Sequence, residues 1–244
     1  MPLRKAKGNM YGFVSHIWNP VKGKCGYDCS YCYMQKMERF PHIAKINQGE
    51  PYLDEKEMRT NLGEGNYIFV CSGCDLFHPD IPAEWIRDVW VYAHKHYPGN
   101  KYLWHTKNPG RVSELYGCFR DNDMLCVTIE SDLEADESKA PSCLERFSAV
   151  LQWKKPWMLT IEPVMEFDLY SFTANIGMNM PVQVNIGADS GRNNLLEPSP
   201  EKLRAFINWL EPRTKVHLKE NLRRILLEHR LYGEKALADG EEAE

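Results

Sequence analysis

Residues 24–34 read KCGYDCSYCYM and space Cys25, Cys29 and Cys32 as CxxxCxxC. Thiols at this spacing are typical of a metal site, yet these three are one short of a closed tetrahedral zinc site. A structural zinc ion needs a further ligand, and the candidates are His16, Cys71 and Cys74. The alternative is a [4Fe–4S] cluster held by the thiolates of the loop, in which one iron stays open to a small molecule.

The composition is that of an ordinary globular protein. The 244 residues are 43% hydrophobic and 26% charged, which argues against extensive disorder. No apolar run approaches the roughly 20 residues that span a bilayer, and the first residues, MPLRKAKGNMYGF, lack the apolar segment of a secretory signal. We therefore expect a cytoplasmic protein without a membrane partner, whose eight cysteines are thiols or metal ligands rather than disulfides.

The net charge of −4 argues against a uniformly basic protein that binds nucleic acid without regard to sequence. Two local basic patches remain, and each is either a phosphate contact or a solvated face. The patches consist of Arg4, Lys5 and Lys7 near the start and Lys219, Arg223, Arg224 and Arg230 near the end.

Short apolar runs alternate with stretches of helical spacing along the whole chain. The predicted strands are residues 11–17, 67–71, 102–106, 125–129, 157–161, 182–186 and 215–218. This alternation predicts an α/β protein of βα units around a parallel sheet. We predict one domain over residues 1–238, a partial (β/α)6 barrel of the TIM type, followed by a flexible acidic tail at 239–244.

Polar residues follow most of these strands at the point where the apolar run stops. The segments are CSGCD, HTKN, ESD, EP and GADSG. Because the working residues of parallel barrels lie at the carboxyl ends of the strands, the series predicts one shared pocket rather than separate helix caps.

The cysteine pattern, with Tyr31 before Cys32 and Tyr33 after it, resembles the signature of the radical SAM superfamily. The string CSYCYMQ is similar to the matching segment of the spore photoproduct lyase group. Other segments resemble a phage-associated radical SAM-like family of unassigned function, namely HIWNPVKG, CDLFHPDIP, HTKNPGR, VTIESD, LTIEPVM and NIGADSGRN. Together the similar segments span about residues 13–220.

This resemblance implies a [4Fe–4S] cluster on Cys25, Cys29 and Cys32 whose open iron binds S-adenosylmethionine (SAM). Reductive cleavage of SAM then gives a 5′-deoxyadenosyl radical that abstracts hydrogen from a substrate. The residues implied in SAM binding are Ser72, Gly73 and Asp75 at the ammonium, Glu130 at the ribose, and the backbone at Tyr31 and around Asp189 at the adenine. Lys107, Glu162 and Lys219 are implied at either the SAM carboxylate or the substrate. The residues implied in catalysis or substrate binding are Cys71, Cys74, Glu162 and Lys219.

Each of these residues has a structural alternative. Asp75 is a candidate turn cap, and Glu130 and Glu162 are candidate partners for salt bridges to Lys107 or Lys219. Cys71 and Cys74 are either hydrogen-atom donors or small buried side chains.

The resemblance also implies a substrate and an electron donor. The substrate is a nucleic-acid base or nucleotide, in DNA, RNA or free form, that the enzyme modifies or repairs, and the reductant is of the flavodoxin or ferredoxin type. Two alternatives stay open. One is a radical SAM enzyme acting on a small metabolite or peptide, and the other is a zinc-stabilised nucleic-acid-binding module without catalysis.

Overall fold

The structure is a computed structural model that describes residues 2–8, 10–133 and 136–227, with the backbone alone for residues 114–116. The acidic tail predicted at 239–244, the last part of the predicted core and Arg230 lie outside the described residues. The division of the chain into a core and a tail therefore stays a prediction.

The described residues form short strands and helices in alternation. The strands are β1 Arg4–Lys5, β2 His16–Trp18, β3 Val21–Lys22, β4 Tyr52–Leu53, β5 Tyr67–Val70, β6 Lys101–Thr106, β7 Asp123–Thr128, β8 Trp157–Ile161, β9 Gln183–Ile186 and β10 Lys215–Leu218. The α-helices are α1 Tyr33–Met37, α2 Pro41–Asn47, α3 Ala83–His96, α4 Pro109–Val112, α5 Cys143–Leu151, α6 Leu169–Met178 and α7 Pro200–Leu210. Short 3-10 helices are formed by Glu57–Arg59, Ser113–Cys118 and Glu220–Leu222.

One sheet dominates the fold, with the strand order β1-β2-β5-β6-β7-β8-β9-β10. All neighbours from β2 to β10 are parallel, and only the edge strand β1 is antiparallel. Strands β3 and β4 form a separate antiparallel pair. Because helices connect the parallel strands, their carboxyl ends meet at one edge. The predicted α/β architecture, a partial parallel barrel in a single domain, is confirmed.

The two faces of the sheet are buried in different ways. Outward-facing side chains such as Trp104 and Trp157 pack with the helices in one large apolar cluster, together with Phe172 and Phe206. Alternate residues on the same strands, such as Leu103 and Met158, belong to a smaller second cluster. Since no helix among the described residues contributes a buried residue to the second cluster, that cluster fills the inside of the curved sheet.

The predicted first strand, residues 11–17, is wrong in its extent, because the strand covers only His16–Trp18. The preceding residues form a turn, in which the Val14 amide donates to the Tyr11 carbonyl at 2.9 Å. The Tyr11 ring stacks on Phe13 at 5.4 Å, and its hydroxyl lies 2.8 Å from Thr160 Oγ1. This segment therefore fills the inside of the barrel, where Tyr11 is buried and Phe13 is partly buried.

Helix α5 begins with a capping box that fixes its first turn. The Ser142 hydroxyl accepts from the Glu145 amide at 3.2 Å, and the Glu145 carboxylate accepts from the Ser142 amide at 2.7 Å. This geometry places Arg146, one residue further along, against the carboxyl end of β7. No helix in the described ranges has the length and apolar character needed to cross a bilayer.

Candidate cofactor and substrate site

A cavity of about 580 Å³ opens at the carboxyl ends of the parallel strands. Except for Glu130, every residue predicted from the sequence as part of the site borders it. These are Cys25, Cys29, Cys32, Tyr31, Cys71, Ser72, Gly73, Cys74, Asp75, Lys107, Glu162, Asp189 and Lys219. The strand-end polar residues therefore form one shared pocket together with the cysteine loop.

The segment that follows β7 holds the cysteine loop in place. The Ser30 amide donates to the Glu137 carbonyl at 2.9 Å, and the Lys139 amide donates to the Tyr27 carbonyl at 2.7 Å. In addition, Cys29 Sγ lies 3.2 Å from Ser138 Oγ. Main-chain bonds on both sides of Cys29 therefore set the position of its thiol.

The thiols of Cys25 and Cys74 both border the cavity and influence each other's ionisation. This interaction lowers the pKa of Cys25 and raises the pKa of Cys74, so the thiolate of the pair is favoured on Cys25. Burial raises the pKa of Cys32. Cys74 is thus the zinc-ligand candidate that reaches the loop, whereas the ring of His16 lies 2.9 Å from the neighbouring Ser15 hydroxyl.

The three loop thiols border the cavity without forming a site for a single metal ion. Among residues 2–8, 10–133 and 136–227, no three His, Cys, Asp or Glu side chains converge where one metal ion could bind them all. The thiolates of a [4Fe–4S] cluster bind different irons and do not need to converge on one point. Cys25, Cys29 and Cys32 are free thiols that border one cavity, which is the arrangement that cluster ligation needs.

The loop after β5 carries Asp75, whose carboxylate ties two strand ends together. It accepts hydrogen bonds from the Phe77 amide at 2.9 Å, the Thr106 hydroxyl at 2.9 Å and the Lys107 amide at 2.8 Å. Burial raises the pKa of Asp75 despite these donors. The predicted alternative of a turn cap is confirmed, and the predicted contact with the SAM ammonium stays a prediction.

Ser72 and Gly73 lie in the same loop, close to the start of α1. Both the amide and the hydroxyl of Ser72 lie within hydrogen-bond distance of Asn19 Oδ1, at 2.8 and 3.2 Å. A Cβ atom on Gly73 would lie 3.3 Å from Met34 Cε, so the glycine lets this helix approach closely.

Glu130 lies behind the cavity wall, in a buried network of charges. Its Oε1 accepts from the Tyr31 hydroxyl at 2.6 Å and pairs with Lys107, and its Oε2 pairs with Arg146 at 2.7 Å. Burial alone raises the pKa of Glu130, but the two cations and the Tyr31 hydroxyl outweigh it and hold the pKa below its ordinary value. The predicted salt bridge to Lys107 is confirmed, and the ribose contact stays a prediction.

A second ion pair, between Lys219 and Glu162, borders the cavity. Lys219 Nζ lies 2.6 Å from Glu162 Oε2 and 4.8 Å from the centre of the Tyr11 ring. A Cβ atom on Gly187 would lie 3.0 Å from the Glu162 carboxylate, so a larger residue there would require the Glu162 side chain to shift. The predicted alternative that Glu162 pairs with Lys219 is confirmed.

Asp189 shapes the loop after β9. Its carboxylate accepts hydrogen bonds from the Gly191 amide at 2.9 Å and the Asn193 side-chain amide at 2.6 Å. The carboxylate therefore supports the loop from within, and the predicted adenine contact of the nearby backbone stays a prediction.

Two residues of the cavity wall, Tyr11 and His105, were not among the predicted site residues. His105 Nε2 lies 2.6 Å from Thr128 Oγ1, and burial, with Lys107 and Lys219 nearby, lowers its pKa to about 3. The alternation in YLWHT could have placed His105 on the inner face of the sheet. Tyr11 gave no such signal, because its own segment reads as a strand.

The rim of the cavity includes exposed aromatic and basic side chains. Tyr33 is 56% exposed, and Lys7 and Lys36 border the cavity beside it. Arg39 and Phe40 continue this surface with a guanidinium 4.9 Å from the ring centre. In the predicted basic patches, by contrast, Arg4 pairs with Glu57 and Arg224 pairs with Glu197.

Solved structures of spore photoproduct lyase share this fold. A tyrosine-to-phenylalanine mutant aligns with a TM-score of 0.59 and 9% identity over 89% of this chain and 80% of that one. A double mutant with bound AdoMet and dinucleoside spore photoproduct aligns with a TM-score of 0.51 and 12% identity over 87% of this chain and 66% of that one. A complex with the dinucleoside spore photoproduct gives a TM-score of 0.51 and 12% identity over 85% of this chain and 64% of that one.

These likenesses establish the fold, and the chain spans less than two thirds of the length of the two ligand-bound lyase structures. The family described as "Protein of unknown function (DUF5131)" matches residues 10–198, and the chain belongs to that family. No curated protein sequence matches the chain. The predicted resemblances to the spore photoproduct lyase group and to a family of unassigned function are confirmed.

Proposed function

We propose that this protein is a radical SAM enzyme that binds a [4Fe–4S] cluster through Cys25, Cys29 and Cys32 and acts on a nucleic-acid base or nucleotide. The observation that carries the proposal is that these thiols and the strand-end polar residues border one cavity. The fold shared with spore photoproduct lyase, which has been solved with AdoMet bound, supports it.

Bound together, the cluster and SAM supply a 5′-deoxyadenosyl radical for hydrogen abstraction. The protein's own part is to orient the reactants and to exclude water. Buried rings, including Tyr11 and Phe69, form an apolar wall on one side of the cavity. Lys107, paired with Glu130, and Lys219, paired with Glu162, also border the cavity, and the Lys219–Glu162 pair offers a donor beside an acceptor.

The cavity and its rim support a nucleotide-sized substrate. A volume of about 580 Å³ lies within the range of small-molecule sites. The exposed Tyr33 ring beside Lys7 and Lys36 combines a stacking surface with cations, which suits a base linked to phosphate. A small metabolite or peptide is the second candidate substrate.

Metal identity and turnover test the proposed chemistry. Anaerobically reconstituted protein should contain about four irons per chain and show thiolate-to-iron absorption. Cys29→Ser should lose both, whereas Cys118→Ser should keep both, because Cys118 is an exposed thiol outside the cavity. Dithionite and SAM should then yield 5′-deoxyadenosine. Tightly bound zinc with no SAM cleavage would instead support the non-catalytic zinc module, for which the interaction between Cys25 and Cys74 is the favouring observation.

The substrate class is tested by measuring the same product, 5′-deoxyadenosine. Oligonucleotides, free nucleotides and short peptides are each added to the reconstituted protein, and the yield of 5′-deoxyadenosine is compared. Stimulation by nucleic acid or nucleotides alone supports the proposal, and stimulation by peptides alone contradicts it. We propose a flavodoxin- or ferredoxin-type protein as the physiological reductant, which should replace dithionite in this assay.

A further inference from the structure

Tyr31 belongs both to the cysteine loop and to the buried charge network behind it. It lies between Cys29 and Cys32, and its hydroxyl donates to Glu130 Oε1 at 2.6 Å. Lys107 Nζ lies 3.1 Å from the same hydroxyl and 5.1 Å from the centre of the Tyr31 ring. The Tyr31 side chain therefore attaches the loop to the carboxyl ends of β6 and β7, in addition to the main-chain bonds of Tyr27 and Ser30 with the segment after β7.

Glu130 is held firmly enough to serve as the fixed end of this attachment. Glu130 and Arg146 are 3% and 4% exposed, so their charges are compensated within the protein. Arg146 also donates to the Thr128 carbonyl at 3.0 Å and, from Nε, to the Pro141 carbonyl at 2.6 Å. Because α5 and β7 together fix the guanidinium, the carboxylate that it binds has little freedom to move.

Tyr31 lines two cavities. It borders the large cavity and a smaller one of about 170 Å³, which Glu130 and Arg146 also line. Space therefore exists beside the ring. Without its hydrogen bond to Glu130, the ring has room to turn away from the large cavity, and Cys29 and Cys32 would move with the backbone.

We propose that Glu130 is a positioning residue that acts through Tyr31 to hold Cys29 and Cys32 in the arrangement that cluster binding requires. This inference deepens the proposed function and rests on it. It also gives Glu130 a different role from the ribose contact that the family resemblance implies. The hydroxyl of Tyr31 is the group that transmits the effect.

The first test uses metal-free protein, so that it does not depend on cluster binding. Tyr31→Phe removes the hydroxyl and keeps the ring, and Tyr170→Phe is the matched control on α6, where Tyr170 is 85% exposed. Amide hydrogen exchange in residues 29–33 should become about tenfold faster in Tyr31→Phe, which is the effect of losing one hydrogen bond to a charged group. The control should exchange at the wild-type rate.

The second test uses reconstituted protein. Iron should pass to a chelator faster from Tyr31→Phe than from the wild type or Tyr170→Phe, and the electron paramagnetic resonance spectrum of the reduced cluster should change. Unchanged exchange in Tyr31→Phe overturns the inference whether or not the wild type binds iron. If the wild type binds no iron, the proposed function fails, and exchange in Tyr31→Phe and Glu130→Gln together still decides whether Glu130 positions the loop. A Glu130→Gln variant that weakens SAM binding without faster exchange would assign Glu130 to the ligand instead.

Discussion

Lys219 Nζ lies 2.6 Å from Glu162 Oε2, and this ion pair reaches across β9 to join the ends of β8 and β10. The Lys219 side chain is 8% exposed and that of Glu162 is 21% exposed. A pair so placed is costly to separate, because each charge faces the low-dielectric wall of the cavity. The pair also carries opposite charges into the site without changing its net charge.

Removing the lysine should therefore destabilise the fold. Lys219→Met should lower the free energy of unfolding in urea by about 2 kcal/mol, less than for a fully buried pair because Glu162 retains some solvent contact. Adding Glu162→Gln should restore part of the loss. Lys215→Met, at the exposed start of β10, is the control and should have little effect. If the losses of unfolding free energy from Lys219→Met and Glu162→Gln simply add in the double variant, the two residues are not coupled.

The contact between Ser138 Oγ and Cys29 Sγ, at 3.2 Å, predicts an effect on redox potential. A hydroxyl that donates to a cluster thiolate stabilises the reduced, more negative state. Ser138→Ala should therefore lower the midpoint potential of the reconstituted cluster in a titration followed by electron paramagnetic resonance. Ser148→Ala, an exposed serine on α5, should leave the potential unchanged. A rise in potential on loss of the Ser138 hydroxyl would contradict this role.

The sheet and the outline of the site were predictable because they depend on local patterns. The run WMLTI (157–161) is apolar except for Thr160, as expected for a strand buried on both faces, and β8 has the same bounds. Polar residues directly after such runs meet at one edge because parallel strands place all their carboxyl ends there. That is why Lys107, Glu162 and Lys219 border one cavity.

The contacts that organise the site were less predictable. Tyr31 and Glu130 are 99 positions apart, and Arg146 reaches Glu130 only because α5 packs above the end of β7. Salt bridges of Glu130 and Glu162 to Lys107 or Lys219 were predicted as alternatives, but the choice of partner depends on strand order and register. Tyr11 was wrongly predicted to lie on a strand for a related reason. The sequence of its segment has a strand-like pattern, but its aromatic rings fill the inside of the barrel instead.

His105 predicts a loss of stability in mild acid. Its pKa is lowered to about 3 in the fold, first by burial and then by Lys107 and Lys219, against an ordinary value of 6.5. The folded state therefore disfavours the protonated ring, so the stability associated with neutral His105 is complete above pH 6.5 and declines as the pH falls towards 3. Between pH 6.5 and 5 the free energy of unfolding should fall by about 1 kcal/mol per pH unit.

His105→Gln should remove most of this dependence when unfolding in urea is measured across the same pH range. The matched control is His96→Gln, because His96 is exposed at the end of α3. The window stops at pH 5 so that carboxyl groups with lowered pKa values, such as Glu130, do not contribute. Equal slopes for the wild type and His105→Gln would refute the assignment.

The basic and aromatic rim predicts salt-dependent binding of single-stranded nucleic acid. Lys36 and Arg39 are exposed on and just after α1, next to the rings of Tyr33 and Phe40. Fluorescence anisotropy with a labelled single-stranded oligonucleotide should show an affinity that falls as salt rises. Lys36→Gln with Arg39→Gln should weaken binding and reduce the slope of log affinity against log salt by about 1.4, since each single-strand phosphate contact contributes roughly 0.7.

The matched control changes the net charge by the same amount elsewhere. Arg87 and Lys95 are exposed on α3, so the Arg87→Gln, Lys95→Gln double variant should keep the wild-type slope. An equal loss of affinity in both double variants would mean that binding depends on the overall charge of the protein rather than on the rim residues. No binding by the wild type at low salt would count against a polynucleotide substrate and favour a free nucleotide, a small metabolite or a peptide, because a strand seated on the rim must contact Lys36 or Arg39.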